Sequence, residues 1–178
     1  AALFTAAGQQ KWVYAGGMDR IGHAGLVTKG ELRYVATSDD KTGIAFLDYA
    51  SGHLVKRGRV ANVVASGDFG GNGDRELLVS PAEDEFLIVD AEDREGAKLS
   101  VPKTYWYKPA VTTGANPAVV LSAGRALDVY DAQLRFKTRL DAADEASPMH
   151  VASAAFSGPN MTGLFAVLYA GRGGWHRS

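Results

Sequence analysis

The sequence predicts an all-β fold made of four similar units, and two observations support this prediction. First, 21 glycines punctuate short apolar runs, as in turn-rich β proteins, and no segment has a convincing helical stripe. Second, four apolar runs that each end in a polar or glycine break recur at 44, 42 and 47 positions, centred on Val35, Val79, Leu121 and Leu168. The interval from Leu168 through the chain end and round to Val35 is 45 positions, which continues the same period.

A period of about 40 to 50 residues with several strands in each unit is typical of β-propellers. A second apolar run, ending in Asp48, Asp90 or Asp131, follows each of the first three runs. Its fourth copy is missing after Leu168, and a similar segment, 3–9, stands at the start of the chain. We therefore expect a single β-propeller domain, 1–178, of four blades with four antiparallel strands each. The N- and C-terminal strands share one blade in this prediction, which hides open sheet edges. The alternative is an excerpt of a larger propeller.

The repeat predicts sixteen strands. The N-terminal strands are expected near 2–6 and 11–15, and the C-terminal strands near 150–156 and 163–169. The three complete units between them are expected near 22–28, 31–37, 43–48 and 53–58; 61–67, 75–80, 85–90 and 97–101; and 110–114, 117–122, 126–131 and 134–139. The aspartates that end the third strands are expected to accept hydrogen bonds from the backbone of the following tight turns.

Composition limits the classes of partner. Lys and Arg total 19 against 20 for Asp and Glu, which leaves no strong field for nucleic acid or an anionic membrane. No apolar stretch approaches the roughly 18 residues that a membrane helix needs. The chain has no cysteine, which excludes disulfides and cysteine-based zinc sites. We therefore expect neither nucleic-acid binding nor membrane insertion.

One segment resembles a known structural repeat. The segment 67–79, Gly-Asp-Phe-Gly-Gly-Asn-Gly-Asp-Arg-Glu-Leu-Leu-Val, resembles the FG-GAP (VCBS, integrin-type) propeller repeat. The resemblance implies a calcium loop in which Asp68, Asn72 and Glu76 are ligands, with Gly70 in place of another expected ligand and Asp74 as a substitute off the pattern. The alternative is a metal-free, glycine-rich strand connection. The turn after Asp48 is similar to the Leu-Asp-x-x-x-Gly of PQQ-type propeller repeats, and these family resemblances favour a secreted or periplasmic protein.

Two histidines lie at similar phases of the repeat. His23 and His150 are 127 positions apart, close to three periods, and both begin a predicted innermost strand. They are candidates to face a central channel, where they could meet a metal or an acidic ligand, or to be structural. No nucleophile elbow, H-E-x-x-H or P-loop pattern is present, so no catalytic residue is predicted and a non-enzymatic role is expected.

The candidate partner contacts are aromatic and acidic. Tyr105, Trp106 and Tyr107 stand in a predicted connection between blades, and Trp175 lies in a glycine-rich segment near the end of the chain. Such residues suit protein contacts or stacking on sugars, or else cover the joint between blades. The segment 83–95 carries seven acids against Arg94, which indicates either a solvated hairpin or an acidic patch for a basic partner. The predicted function is a binding or scaffolding domain for a protein, with glycan binding as the alternative.

Overall fold

The structure is a computed structural model that describes residues 1–14, 23–39, 42–102, 109–112, 117–123, 126–141, 147–154 and 164–170. Within these ranges the chain forms strands and turns and no helix, which confirms the all-β prediction. Each of the sixteen predicted strands has a counterpart, with bounds that differ by a few residues. The strands are β1 Ala2–Phe4, β2 Gln10–Val13, β3 Ala24–Lys29, β4 Leu32–Asp39, β5 Gly43–Asp48, β6 Leu54–Arg57, β7 Asn62–Gly67, β8 Glu76–Ala82, β9 Glu85–Val89, β10 Glu95–Ser100, β11 Ala110–Val111, β12 Val119–Ala123, β13 Ala126–Tyr130, β14 Phe136–Asp141, β15 Ser147–Ala154 and β16 Leu164–Ala170.

The strands pair into antiparallel sheets of two or four strands. Three sheets are four-stranded meanders: sheet I is β3–β4–β5–β6, sheet II is β7–β8–β9–β10, and sheet III is β11–β12–β13–β14. The remaining strands form the N-terminal hairpin, β1–β2, and the C-terminal hairpin, β15–β16. In the described part of the chain these two hairpins are separate two-stranded sheets.

The central strands of sheet I are buried on both faces. In β5, Ile44 and Phe46 pack against residues of sheet II, whereas Ala45 and Leu47 pack against the N-terminal hairpin. Successive side chains of a strand point to opposite faces of its sheet, so a strand covered on both sides has an apolar residue at nearly every position. This burial explains why the sequence shows continuous apolar runs rather than an alternating pattern.

Sheet II repeats this arrangement between its two neighbours. Leu77 and Val79 of β8 pack toward sheet I, and Leu78 between them packs with Val119 and Leu121 of sheet III. Strand β15 of the C-terminal hairpin lies against β11 and β12 of sheet III. The N-terminal hairpin, sheets I to III and the C-terminal hairpin therefore stack face to face in chain order.

The predicted turn aspartates have the expected role. Asp48 Oδ1 accepts a hydrogen bond from Ser51 N at 2.7 Å. Asp90 Oδ1 accepts two backbone hydrogen bonds, from the amides two and four positions after it, at 2.9 and 3.0 Å. Asp131 Oδ1 does the same at 3.0 and 2.9 Å. Each turn is closed by a residue with positive φ, namely Gly52, Asp93 or Leu134.

Candidate functional site

Several turns meet at one end of the stacked sheets. They are the turn 30–31 of sheet I, the loop 68–75 and the turn 90–94 of sheet II, and the turn 131–135 of sheet III. Gly30 N donates to Asp74 Oδ1 at 2.9 Å, and Gln133 Nε2 donates to the Phe69 carbonyl at 3.2 Å. Lys29 Nζ lies 2.8 Å from a Glu92 carboxylate oxygen. We call these four segments together the turn face.

The loop 68–75 is held by its own acidic and amide side chains. Asp68 accepts hydrogen bonds at both carboxylate oxygens, from Asn72 N and Gly73 N, each at 3.0 Å. Asn72 Oδ1 accepts from Asp74 N at 2.9 Å. Positive φ angles of 67° at Gly71 and 89° at Gly73 let the chain turn tightly enough for these contacts.

The end of the loop is attached to sheet I. Thr28 N donates to the Arg75 carbonyl and Arg75 N donates to Thr28 Oγ1, both at 2.9 Å. The Arg75 guanidinium folds back along its own sheet, where Nη2 donates to the Ser66 carbonyl at 3.0 Å and to Ser66 Oγ at 3.2 Å. Together with the Asp74–Gly30 hydrogen bond, these contacts make the loop a clamp between two sheets.

Glu76, the first residue of β8, is hydrogen-bonded to the start of the loop. Its Oε2 accepts hydrogen bonds from Phe69 N at 2.8 Å and from Gly70 N at 3.3 Å. Burial raises the pKa of the Glu76 carboxyl above its ordinary value, and the nearby Asp68 charge adds to the rise, although the backbone hydrogen bonds act in the opposite direction. Ionisation of the Glu76 carboxyl is therefore less favourable than that of a solvent-exposed glutamate.

These contacts bear on the expected calcium site. Calcium takes six to eight oxygen ligands that converge on one point. Here Asp68, Asn72, Asp74 and Glu76 each direct a side-chain oxygen to a backbone amide, and Asp74 reaches across to sheet I. Within the described ranges no group of three His, Cys, Asp or Glu residues is arranged to hold a metal ion. The contacts are those of a metal-free strand connection, and calcium binding by the loop stays a prediction.

A cavity of about 410 Å³, here called cavity A, opens between sheets II and III. Its apolar wall includes Phe69 and Ile88, and its polar wall includes Glu76, Asp90, Arg94, Glu95 and Gln133. Three of these side chains are acids and one is a base, so the charges around the cavity sum to −2. Arg94 is paired with Asp90 at 2.7 Å. Cavity A therefore has an apolar wall beside an acidic rim.

A second cavity of about 270 Å³, cavity B, lies on the other side of the loop, between sheets I and II. It is lined by Leu26, Thr28, Gly30, Arg33, Tyr49, Gly73, Asp74 and Arg75. Two of these side chains are bases and one is an acid, so the charges around cavity B sum to +1. The loop 68–75 thus separates two cavities of opposite charge.

The other predicted contacts fall largely outside the described residues. Tyr105, Trp106, Tyr107 and Trp175 lie in segments that the structure does not describe. His23 is exposed, immediately before β3, and His150 lies on β15, where the backbone alone is described. The channel site and the aromatic contact therefore stay predictions.

The sequence analysis did not predict the ion pairs that two arginines form in the turn face. Arg94 Nε donates to Asp90 and Arg135 Nε donates to Asp131, both at 2.9 Å. The repeated pattern Asp-Ala-x-x-Arg at 90–94 and 131–135 is a signal that could have revealed this pair. Nothing local in the sequence indicates that Arg33 and Arg75 line one cavity, because they come from different sheets.

No family model matches the sequence, and no curated protein matches it significantly. The fold and the site define the class of the protein only as an all-β domain of stacked antiparallel sheets with a cleft-bearing turn face. None of the described residues belongs to a helix long and apolar enough to cross a membrane.

Proposed function

We propose that the chain is a β-propeller-type binding domain that holds a protein partner at its turn face. In this proposal the two terminal hairpins together form the fourth blade, and the five sheets close into a ring. The face-to-face order of the sheets supports it, because consecutive sheets of a propeller pack on each other in this way. A ring of sheets is a rigid platform on which turns carry recognition.

The observation that carries the proposal is the pair of cavities on either side of the loop 68–75. Recognition sites combine an apolar surface with a few positioned polar groups. Cavity A offers Phe69 and Ile88 beside an acidic rim, which suits a long basic side chain whose methylene groups cover the apolar wall. Cavity B carries the opposite charge. Charge patterns of this kind favour one orientation of a partner over others.

A pair of variants of equal size tests this proposal. Ala97 lines cavity A, whereas Ala82 is exposed near the far end of the same sheet. Ala97→Phe should fill cavity A and abolish capture of a specific partner, and Ala82→Phe should leave that capture unchanged. The measurement is affinity capture by each variant, followed by binding of the purified partner and a check of folding by NMR. Capture that is equally strong with both variants contradicts the proposal.

The glycan alternative is tested on the same proteins. A glycan-binding domain would retain immobilised oligosaccharides and lose them with Trp106→Ala, because aromatic rings stack on sugars. A protein-binding domain that holds its partner at the turn face would show no retention on oligosaccharides. Loss of folding in Trp106→Ala would instead identify Trp106 as a core residue.

A further inference from the structure

We propose that cavity B, between sheets I and II, is a binding site for an oxyanion group, such as a carboxylate or a phosphate. The inference is independent of the protein partner proposed above, because it concerns a small anion that can be tested directly on the domain. It rests on two arginines that line the cavity and have no acidic partner in the described part of the chain.

Arg75 is held in place but not neutralised. Its Nη2 is bonded to both the carbonyl and the hydroxyl of Ser66, while its Nε is buried and has no hydrogen-bond partner. The half-buried guanidinium lines cavity B with its charge uncompensated by a described acid, and an anion in the cavity would stabilise that charge. The Ser66 contacts also fix the orientation of the guanidinium in advance, so little side-chain freedom is lost when an anion binds.

Arg33 supplies the second positive charge, on the neighbouring sheet. It is exposed on β4, opposite Thr28 in the β3–β4 register. Neither Arg33 nor Arg75 forms an ion pair with a described acid. By contrast, four other arginines of the described chain are each paired with an aspartate: Arg59, Arg94, Arg135 and Arg139. Arg57 also has no ion pair with a described acid and bonds Thr42 Oγ1 instead, so what distinguishes Arg33 and Arg75 is that both line one cavity.

The other groups around the cavity suit an anion. Thr28 Oγ1 accepts from Arg75 N, which leaves its hydroxyl proton to be donated. Lys11 Nζ lies 5.3 Å from the centre of the Tyr49 ring, so another positive charge stands near this wall. Asp74 is the one acid of the lining, and its Oδ1 already accepts from Gly30 N. Guanidinium groups bind carboxylate and phosphate oxygens with short charge-assisted hydrogen bonds.

The test is an NMR titration of the folded domain with inorganic phosphate and, separately, with glutarate. We expect saturable shifts at the amides of Gly30 and Gly73. Arg33→Ala should weaken the binding about tenfold, as loss of one charge-assisted hydrogen bond implies. Asp74→Asn keeps an acceptor for Gly30 N but removes the opposing charge, so it should tighten the binding. Lys137→Ala removes an exposed charge on sheet III and should leave the affinity unchanged.

Binding of either probe with this order of affinities supports the site, and the stronger probe identifies the preferred anion. The proposal is overturned by the absence of saturable shifts with both probes, by equal affinities of the wild type and Arg33→Ala, or by weaker binding in Asp74→Asn. Because Arg75 also anchors the loop 68–75, these outcomes are read from Arg33 and Asp74 alone.

Discussion

The carboxylate of Asp131 accepts hydrogen bonds that hold the turn 131–135. Its carboxylate is partly desolvated, which pushes the pKa up, but hydrogen bonds from Arg135, Lys137 and the Gln133 amide outweigh this effect. They lower the pKa of Asp131 from 3.8 to about 2. The ionised form is therefore the one that stabilises the turn 131–135.

This shift predicts a pH dependence of stability. A depressed pKa contributes stability that is complete above pH 3.8 and is lost as the pH falls toward about 2. Asp131→Asn should thus melt at a lower temperature than the wild type at pH 6, and the gap should close between pH 4 and pH 2. Thermal unfolding across this range measures the difference in melting temperature. Glu83→Gln, at an exposed acid in the β8–β9 turn, is the control. A gap that is independent of pH would contradict the assigned role.

Glu76 should behave in the opposite way. Burial raises its pKa, so ionisation of Glu76 destabilises the folded state as the pH rises through that pKa. Glu76→Gln keeps an oxygen that can accept from Phe69 N and removes the buried charge. We expect the variant to gain stability relative to the wild type as the pH is raised from 4 to 7. A variant that becomes relatively less stable over this range would contradict a destabilising effect of the Glu76 charge.

The loop 68–75 gives a prediction about calcium. Because its side chains are bonded to backbone amides, excess calcium should not change the midpoint of thermal unfolding. Asp68→Ala should cost about 1–2 kcal/mol without any metal, since two loop amides lose their acceptor. Unfolding scans with and without calcium, with magnesium as the control, measure both effects. A midpoint that rises with calcium in the wild type, but not in Asp68→Ala, would show that the loop binds calcium.

At the scale of elements, the N-terminal hairpin is joined to sheet I through Trp12. Its indole is buried over Gly52, and Nε1 donates to the Tyr49 carbonyl at 3.1 Å. A Cβ at Gly52 would overlap the indole ring. Gly8 has a similar positive φ, of 78° against 73°, but nothing lies within 4 Å of its Cβ position. Alanine at Gly8 therefore measures the cost of a positive φ alone, and alanine at Gly52 adds the cost of overlap with the indole.

We expect Gly8→Ala to cost about 1–2 kcal/mol through backbone strain alone. Gly52→Ala should cost about 2 kcal/mol more, because the indole of Trp12 must move. Chemical denaturation gives both free energies, and limited proteolysis should show earlier cleavage of the segment 1–14 in Gly52→Ala. Equal costs would mean that the hairpin does not depend on this contact.

The elements also show what the sequence could predict. Strand β8 was predictable because both of its faces are buried, which produces the run Leu77-Leu78-Val79 between polar and glycine breaks. The turns were predictable because Asp90 and Asp131 bond amides two and four residues on. The contacts of Trp12 with Gly52 and of Asp74 with Gly30 were not predictable, since they depend on which sheets pack together. For the same reason the candidate site was foreseen only as the loop 68–76, and the two cavities beside it were not.

At the scale of the whole molecule, the sheets follow one another in chain order, each packed on the next. Sheet II is covered by sheet I on one face and by sheet III on the other. The N-terminal hairpin covers the outer face of sheet I, and β15 lies against sheet III. A closed ring requires the two hairpins to complete one another, with β16 paired to β1 in the position that β4 and β5 occupy in sheet I.

Cross-strand NOEs test this closure most directly. The ring predicts antiparallel contacts between backbone protons of residues 2–4 and residues 164–170, together with slow amide exchange in both segments. The same spectra contain the β4–β5 contacts of sheet I as an internal reference. Observation of the β1–β16 contacts would support a closed propeller of four blades. Their absence, with the β4–β5 contacts intact, would contradict the ring and leave an open stack of sheets.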